Sequence, residues 1–216
     1  MMKVGVLISG RGSNLRSLVA ATKEPGFPAA IVIVVSNKPD APGLDVARAA
    51  GIPTAVVNHK DYPTREAFDA ELDAVLCRAG VELICSAGFM RILSEGFVEA
   101  WRDRQLNIHP SLLPAFKGLH VHERVLETGC RITGCTVHFV RPAMDEGPIV
   151  AQVAVPVVPG DTPETLADRV LEAEHKLYPL ALRLVAEGRT RIVGERVEID
   201  GLPLEAQAPL FVPPVS

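Results

Sequence analysis

No basic run, no paired cysteines and no apolar stretch of membrane length occur in these 216 residues, and each lack removes a class of function. Lysine and arginine number 22 against 26 aspartate and glutamate, a formal net charge of −4. Non-specific binding to nucleic acid rests on clustered cations facing phosphates, so no such partner is expected. A small anionic molecule meeting a few local Arg or Lys side chains is still allowed. Cys77, Cys85, Cys130 and Cys135 form no C-x-x-C pair and lack the spacing of a zinc site. Each lies in an apolar segment, where a buried free thiol is the expected state, and this usage fits a reducing cytoplasm. Residues 1–8 have the look of a signal-peptide core, but Ser9-Gly10-Arg11-Gly12 interrupts them too early. The protein is expected to be soluble, with no membrane partner.

Apolar residues make up 48% of the chain and charged residues 22%, which suits a folded protein with a real core. The length fits one large α/β domain or two small ones. Through the first half, short apolar runs alternate with helical periodicity. Strands are expected over 4–8, 31–35, 54–57 and 81–85, and helices over 14–21, 43–50, 64–79 and 94–102. Gly51 and Gly80 stand where helices end, and Ser94 where one begins. Apolar strands separated by helices mean a parallel, doubly wound sheet covered on both faces, a Rossmann-like half. Ligands of such sheets bind beyond the carboxyl ends of the strands.

The second half changes character. Strands over 133–140 and 149–155 flank a turn with Pro and Gly, and Thr162-Pro163-Glu164 opens a helix reaching about residue 187, with a kink near Pro179. A small hairpin over 191–199 follows, then a proline-rich tail, 203–216, expected to be loosely held. With no repeats and no low-complexity linker, the expectation is an α/β fold in one domain, 1–202, with lobes of about 1–105 and 106–202. Its parallel sheet is extended by antiparallel strands.

The stretch Leu106-Asn107-Ile108-His109-Pro110-Ser111-Leu112-Leu113-Pro114 carries the most chemistry. Side chains at i and i+2 of a strand share a face, so Asn107 and His109 point together before two prolines turn the chain out of regular structure. A carboxamide and an imidazole aimed at one spot suit a reaction that builds charge on an oxygen and moves a proton. The same spacing fits a strand end whose Asn and His bond neighbouring backbone. Ser9-Gly10-Arg11-Gly12-Ser13-Asn14-Leu15 joins the first strand to the first helix, where glycines and free helix N–H groups can cradle a phosphate. Leu15 replaces the last small residue of a dinucleotide fingerprint, and Ser36-Asn37 its ribose-binding acid, so a phosphate monoester fits better than NAD. A tight turn without a ligand is the alternative.

Asp145, in an Asp-Glu-Gly-Pro turn, would favour a charged imidazole if it met His109, though surface turns commonly carry Asp. His120, His122 and His138 offer no third ligand at metal spacing, so no metal is expected. Residues 88–93 fit either an apolar ring site or plain core, and Glu174-His175 reads as an exposed pair in mid-helix.

Several motifs in sequence bear a common stamp: Ser9-Gly10-x-Gly12-Ser13-Asn14, Ala87-Gly88-Phe89-Met90-Arg91-Ile92-Leu93 and the Asn107–Pro114 stretch. Gly134-Cys135-Thr136-Val137-His138-Phe139-Val140, Met144-Asp145-x-Gly147-Pro148-Ile149 and Glu174-His175-x-x-Tyr178-Pro179 follow. In order and spacing the chain resembles the phosphoribosylglycinamide formyltransferase family, the folate-dependent glycinamide ribonucleotide transformylases, from residue 2 to about 189. The resemblance implies a formyltransferase-type fold and a cytoplasmic enzyme of purine (IMP) biosynthesis. Its reaction would move the formyl group of 10-formyltetrahydrofolate to the amino group of N1-(5-phosphoribosyl)glycinamide, with no metal. By matching positions, Gly12, Ser13, Asn14 and Glu174 would hold the ribonucleotide, and Arg65, Met90, Arg91, Ile92, Leu93, Asn107, Arg141, Met144 and Asp145 would meet the folate. Asn107, His109 and Asp145 would form the catalytic group. Residues 1–105 become the phosphate-binding lobe and 106–202 the catalytic and folate side. The partners implied are these two small molecules, without nucleic acid, for a monomer or homodimer. Lys117, His120 and His122 receive no role.

Two rivals share the core. 10-Formyltetrahydrofolate hydrolase adds an N-terminal regulatory domain and usually carries a second histidine where Pro110 stands here; methionyl-tRNA formyltransferase adds a C-terminal tRNA-binding domain. The chain opens on its first strand and is expected to have neither addition. A non-catalytic folate or nucleotide sensor is the remaining alternative, and the intact Asn107, His109 and Asp145 set argues against it.

Overall fold

The first strand, β1 (Met2–Ile8), is buried on both faces: Val4, Val6 and Ile8 join one apolar cluster and Leu7 a second. Side chains alternate across a strand, so this double burial requires helices on each side of the sheet. The computed structural model, which describes residues 1–202 with Leu210 and Val212, contains them. Apart from those two residues, the tail expected over 203–216 lies outside the described residues.

From β1 the chain runs through α1 (Ser13–Thr22), β2 (Ala29–Ser36), α2 (Gly43–Ala49), β3 (Thr54–Val56), α3 (Arg65–Arg78), β4 (Leu83–Ser86) and α4 (Glu95–Ala100). It continues with β5 (Gln105–His109), α5 (Val121–Glu127), β6 (Ile132–Phe139), β7 (Ile149–Pro156), α6 (Pro163–Ala186), β8 (Thr190–Val193) and β9 (Arg196–Ile199). The sheet order is β3-β2-β1-β4-β5-β6-β7, with β8 and β9 forming a separate hairpin. Strands β1 to β5 pair in parallel, and β6 and β7 add on antiparallel. The doubly wound parallel half and its antiparallel extension are both present. Because β2 and β4 leave β1 on opposite sides, a crevice opens beyond the carboxyl ends of β1 and β4.

Leu15 and Leu18 of α1 and Leu166, Val170 and Leu182 of α6 fill one face, while Phe68, Leu72 and Leu76 of α3 fill the other. Each fully buried side chain of this size contributes roughly 1.5–3 kcal/mol. Thr162 and Thr165 form a reciprocal cap at the start of α6, with Pro163 in its first turn. The helix runs on to Ala186 through Pro179, so the expected kink does not end it. Buried Leu177, Tyr178, Ala181 and Leu182 pin the helix on both sides of the proline.

Two expectations need correction. Cys85 and Cys135 are buried, and burial pushes both thiols up to about 12. Cys77 instead is exposed on the outer side of α3 and Cys130 is half-buried. Helix α5 is absent from the expected elements, because its seven residues bury only Val121 and Val125, too little for a visible period.

Candidate active site

Strand β5 brings Asn107 and His109 to one face, and its register with β6 sets Asn107 opposite His138 and His109 opposite Thr136. Thr136 then fixes the turn that follows. Its Oγ1 donates to the Ser111 carbonyl at 2.7 Å and accepts from the Leu113 N–H at 3.1 Å. Gln152 Nε2 on β7 donates to the Leu113 carbonyl at 2.9 Å. The proline segment is therefore stitched to the antiparallel strands, and His109 is held at a rigid edge.

The His109 ring is 7% exposed and faces an acceptor at each nitrogen. Nε2 donates to the Phe116 carbonyl at 2.9 Å, and Nδ1 lies 3.4 Å from Asp145 Oδ2. That oxygen also accepts the Gly118 N–H at 2.7 Å. Asp145 reaches this position with φ 52°, a left-handed conformation held by its surroundings. The ring is thus fixed between the Phe116 carbonyl and the Asp145 carboxylate.

His138 Nδ1 faces the Phe139 carbonyl at 2.9 Å, which can only accept, so that nitrogen carries the proton. Its Nε2 lone pair then accepts from Asn107 Nδ2 at 3.3 Å. Burial pushes the His138 ring down from its usual value, in keeping with this neutral tautomer. The carboxamide of Asn107 is thus oriented, with a second N–H left for a ligand. No sequence pattern announced this pairing; only the β5–β6 register reveals it.

These groups line a cavity of about 680 Å³. Its lining also includes Asn14 and Glu174, the run Phe89, Met90, Arg91, Ile92 and Leu93 with Val98, and Arg141, Met144 and Asp145 of the β6–β7 loop. Asn14 Nδ2 donates to Glu174 Oε2 at 2.7 Å, joining the first turn of α1 to the middle of α6. Glu174 is only 7% exposed, so its reading as an exposed helical residue is corrected. Burial pushes its carboxyl up to about 7, the Asn14 bond pulling the other way. One turn on, the Tyr178 hydroxyl lies 3.0 Å from the Ser86 carbonyl and 3.2 Å from that of Leu106, fastening α6 to β4 and β5.

Asn14 Oδ1, Arg91 Nε, Gln105 Oε1 and His122 Nδ1 are buried without a protein partner, and all four belong to residues lining the cavity. Such atoms are costly unless something bonds them, so the cavity has the donors and acceptors of a ligand site. His175 Nε2, beside Glu174 on α6, is likewise buried and partnerless. Among the described residues, no group of three or more His, Cys, Asp or Glu converges in the manner of a metal site, and no helix is long and apolar enough to cross a membrane.

Gly12 precedes α1 with φ 72°, and a Cβ there would sit 2.9 Å from Gly43 Cα. Glycine is required for this close approach, and it leaves the N-terminus of α1 uncapped by any side chain. Gly12 and Ser13 adjoin the cavity through Asn14 but are not among its lining residues, and exposed Arg65 at the start of α3 is not either. Arg141 lines the wall, yet its guanidinium is bonded to Asp103 and Glu195 rather than free for a ligand.

A model of the formyl transferase family matches residues 2–182. The chain is 42% identical over 206 residues to phosphoribosylglycinamide formyltransferase of Escherichia coli, covering 95% of this chain and 97% of that one. It is 57% identical over 190 residues to the trifunctional purine biosynthetic protein adenosine-3 of Bos taurus, covering 88% of this chain. The chain spans only 19% of that much longer relative. Among solved structures, glycinamide ribonucleotide transformylase 1 from Symbiobacterium toebii superposes with a TM-score of 0.90 at 49% identity, covering 92% of this chain and 94% of that one. Phosphoribosylglycinamide formyltransferase from Brucella melitensis gives 0.83 at 50% identity, with 95% and 99% covered.

Proposed function

The chain belongs to the formyl transferase family, and from that premise we propose that it transfers the formyl group of 10-formyltetrahydrofolate to the amino group of N1-(5-phosphoribosyl)glycinamide. The observation that carries the reading is the convergence of Asn107, His109 and Asp145 on one cavity that Asn14, Glu174 and residues 89–93 also line. The folate donor supplies the formyl carbon, carried on its N10. Its flat ring suits the apolar run from Phe89 to Leu93.

The ribonucleotide belongs beside Asn14 and Glu174. The uncapped N-terminus of α1, with the N–H groups of Ser13 and Asn14, favours its phosphate, and Glu174 accepts from its hydroxyls. As the amine attacks, negative charge grows on the formyl oxygen. The free N–H of Asn107 donates to it, and His109, with the Asp145 carboxylate beside it, is placed to offset the same charge. Proton delivery to the departing N10 falls to His109, directly or through a water. The substrate amine is itself the nucleophile, so the lack of a Ser-His-Asp or Cys-His arrangement costs nothing.

Incubating the purified protein with both substrates while following folate absorbance tests this. Transfer that requires the ribonucleotide supports the reading; formate released without any acceptor points to hydrolysis, and binding without turnover to a sensor. Asn14→Ala should raise the ribonucleotide KM at least tenfold, a loss of about 1.4 kcal/mol, and leave the folate KM unchanged. A defect confined to the folate KM would place the phosphate elsewhere.

Glu174 also makes stability depend on pH. Its folded pKa, about 7, exceeds the ordinary 4.5, so its contribution is full below 4.5 and is lost as pH rises through 7. Melting temperatures of the ligand-free protein should fall across that window, and Glu174→Gln should flatten the slope. An equally steep slope in the variant would assign it to other groups.

A further inference from the structure

The loop between β6 and β7 carries Asp145, and it is held from a direction that the chemistry does not use. Arg141 opens this loop with a side chain only 8% exposed, so its charge needs partners. Nε donates to Glu195 Oε2 at 2.9 Å, Nη2 to Asp103 Oδ1 at 2.8 Å and Nη1 to the Val140 carbonyl at 3.1 Å. Glu195 lies in the turn between β8 and β9, and its other oxygen accepts from Arg102 at 3.1 Å. At the far end of the loop, Gly147 has φ 121°, and a Cβ there would lie 2.9 Å from Arg141 Cγ and 2.2 Å from the Phe139 carbonyl oxygen. The far end of the loop thus passes close to the Arg141 side chain with room only for glycine, and that side chain is clamped by the hairpin.

We propose that the β8–β9 hairpin is a positioning element for the reaction, with Glu195 as a positioning residue: it fixes Arg141, and Arg141 fixes the loop that brings Asp145 to His109. The proposal rests on the catalytic reading of Asp145. Glu195 is 56% exposed and Asp103 47%, and ion pairs that open to water add little to global stability. Their influence is on geometry. Because Arg141 is buried, losing Glu195 frees its guanidinium to seek water and draws the loop with it. A misplacement of about 1 Å at a catalytic group costs up to about a hundredfold in rate.

The test uses Glu195→Ala and Glu195→Gln in the full chain, the second keeping an oxygen that accepts from Arg141 Nε. Two quantities are read: kcat with the KM for each substrate, and hydrogen exchange at the Gly118 amide, which donates to Asp145. Glu195→Ala is expected to lower kcat between about tenfold and a hundredfold with the ribonucleotide KM unchanged, and to speed Gly118 exchange. Glu195→Gln should restore both. A purely structural part for the hairpin would lower the melting temperature without splitting kcat from KM. Wild-type kcat or unchanged Gly118 exchange in Glu195→Ala overturns the proposal. Asp145→Asn, run alongside, separates the two failures: wild-type kcat in that variant overturns the reading of Asp145 itself, whatever the hairpin does.

Discussion

His109→Ala should lower kcat by about 10² to 10⁴ with little change in either KM, the range expected when a positioned proton-transfer group is removed. In the proposed mechanism the ring stands beside the developing charge and supplies the proton for the leaving nitrogen. Its surroundings should survive the change. The Phe116 carbonyl loses a hydrogen-bond partner and Asp145 a charged neighbour, but the Pro110–Pro114 turn remains tied to Thr136 and Gln152. Far-ultraviolet circular dichroism and the melting transition should therefore stay near wild type while turnover collapses. A folded variant with turnover within threefold of wild type would remove His109 from the mechanism.

Asp145→Asn separates charge from shape. The amide keeps an oxygen for the Gly118 N–H but loses the negative charge 3.4 Å from His109 Nδ1. A carboxylate at that range holds the ring in place and offsets positive charge that builds on it. The expected loss in kcat is about a hundredfold with little change in either KM. Turnover within threefold of wild type would mean that the two side chains are neighbours without being coupled.

The parts of the fold that could be read from sequence are those where one physical demand dominates. Strands β1 and β4 announce themselves because burial on both faces allows only apolar residues. Asn107 and His109 share a face because a strand repeats every two residues, and that expectation needed no knowledge of the rest of the molecule. What stayed hidden depends on partners far along the chain. Asp145 reads as an ordinary surface turn until β6 and β7 fold it back on His109. Glu174 reads as solvent-facing because its partner, Asn14, is 160 residues away. The family resemblance gives Arg141 to the folate, yet its guanidinium turns to Asp103 and Glu195, 38 and 54 residues distant. The short α5 lacks enough apolar positions to show a period at all.

The Tyr178 hydroxyl, shared between the carbonyls of Ser86 and Leu106, sits one helical turn beyond Glu174. Helix α6 cannot slide along the sheet without breaking it, so the chain has a built-in caliper. The spacing between the Glu174 carboxylate and the strand that bears Asn107 and His109 is therefore set by the fold itself.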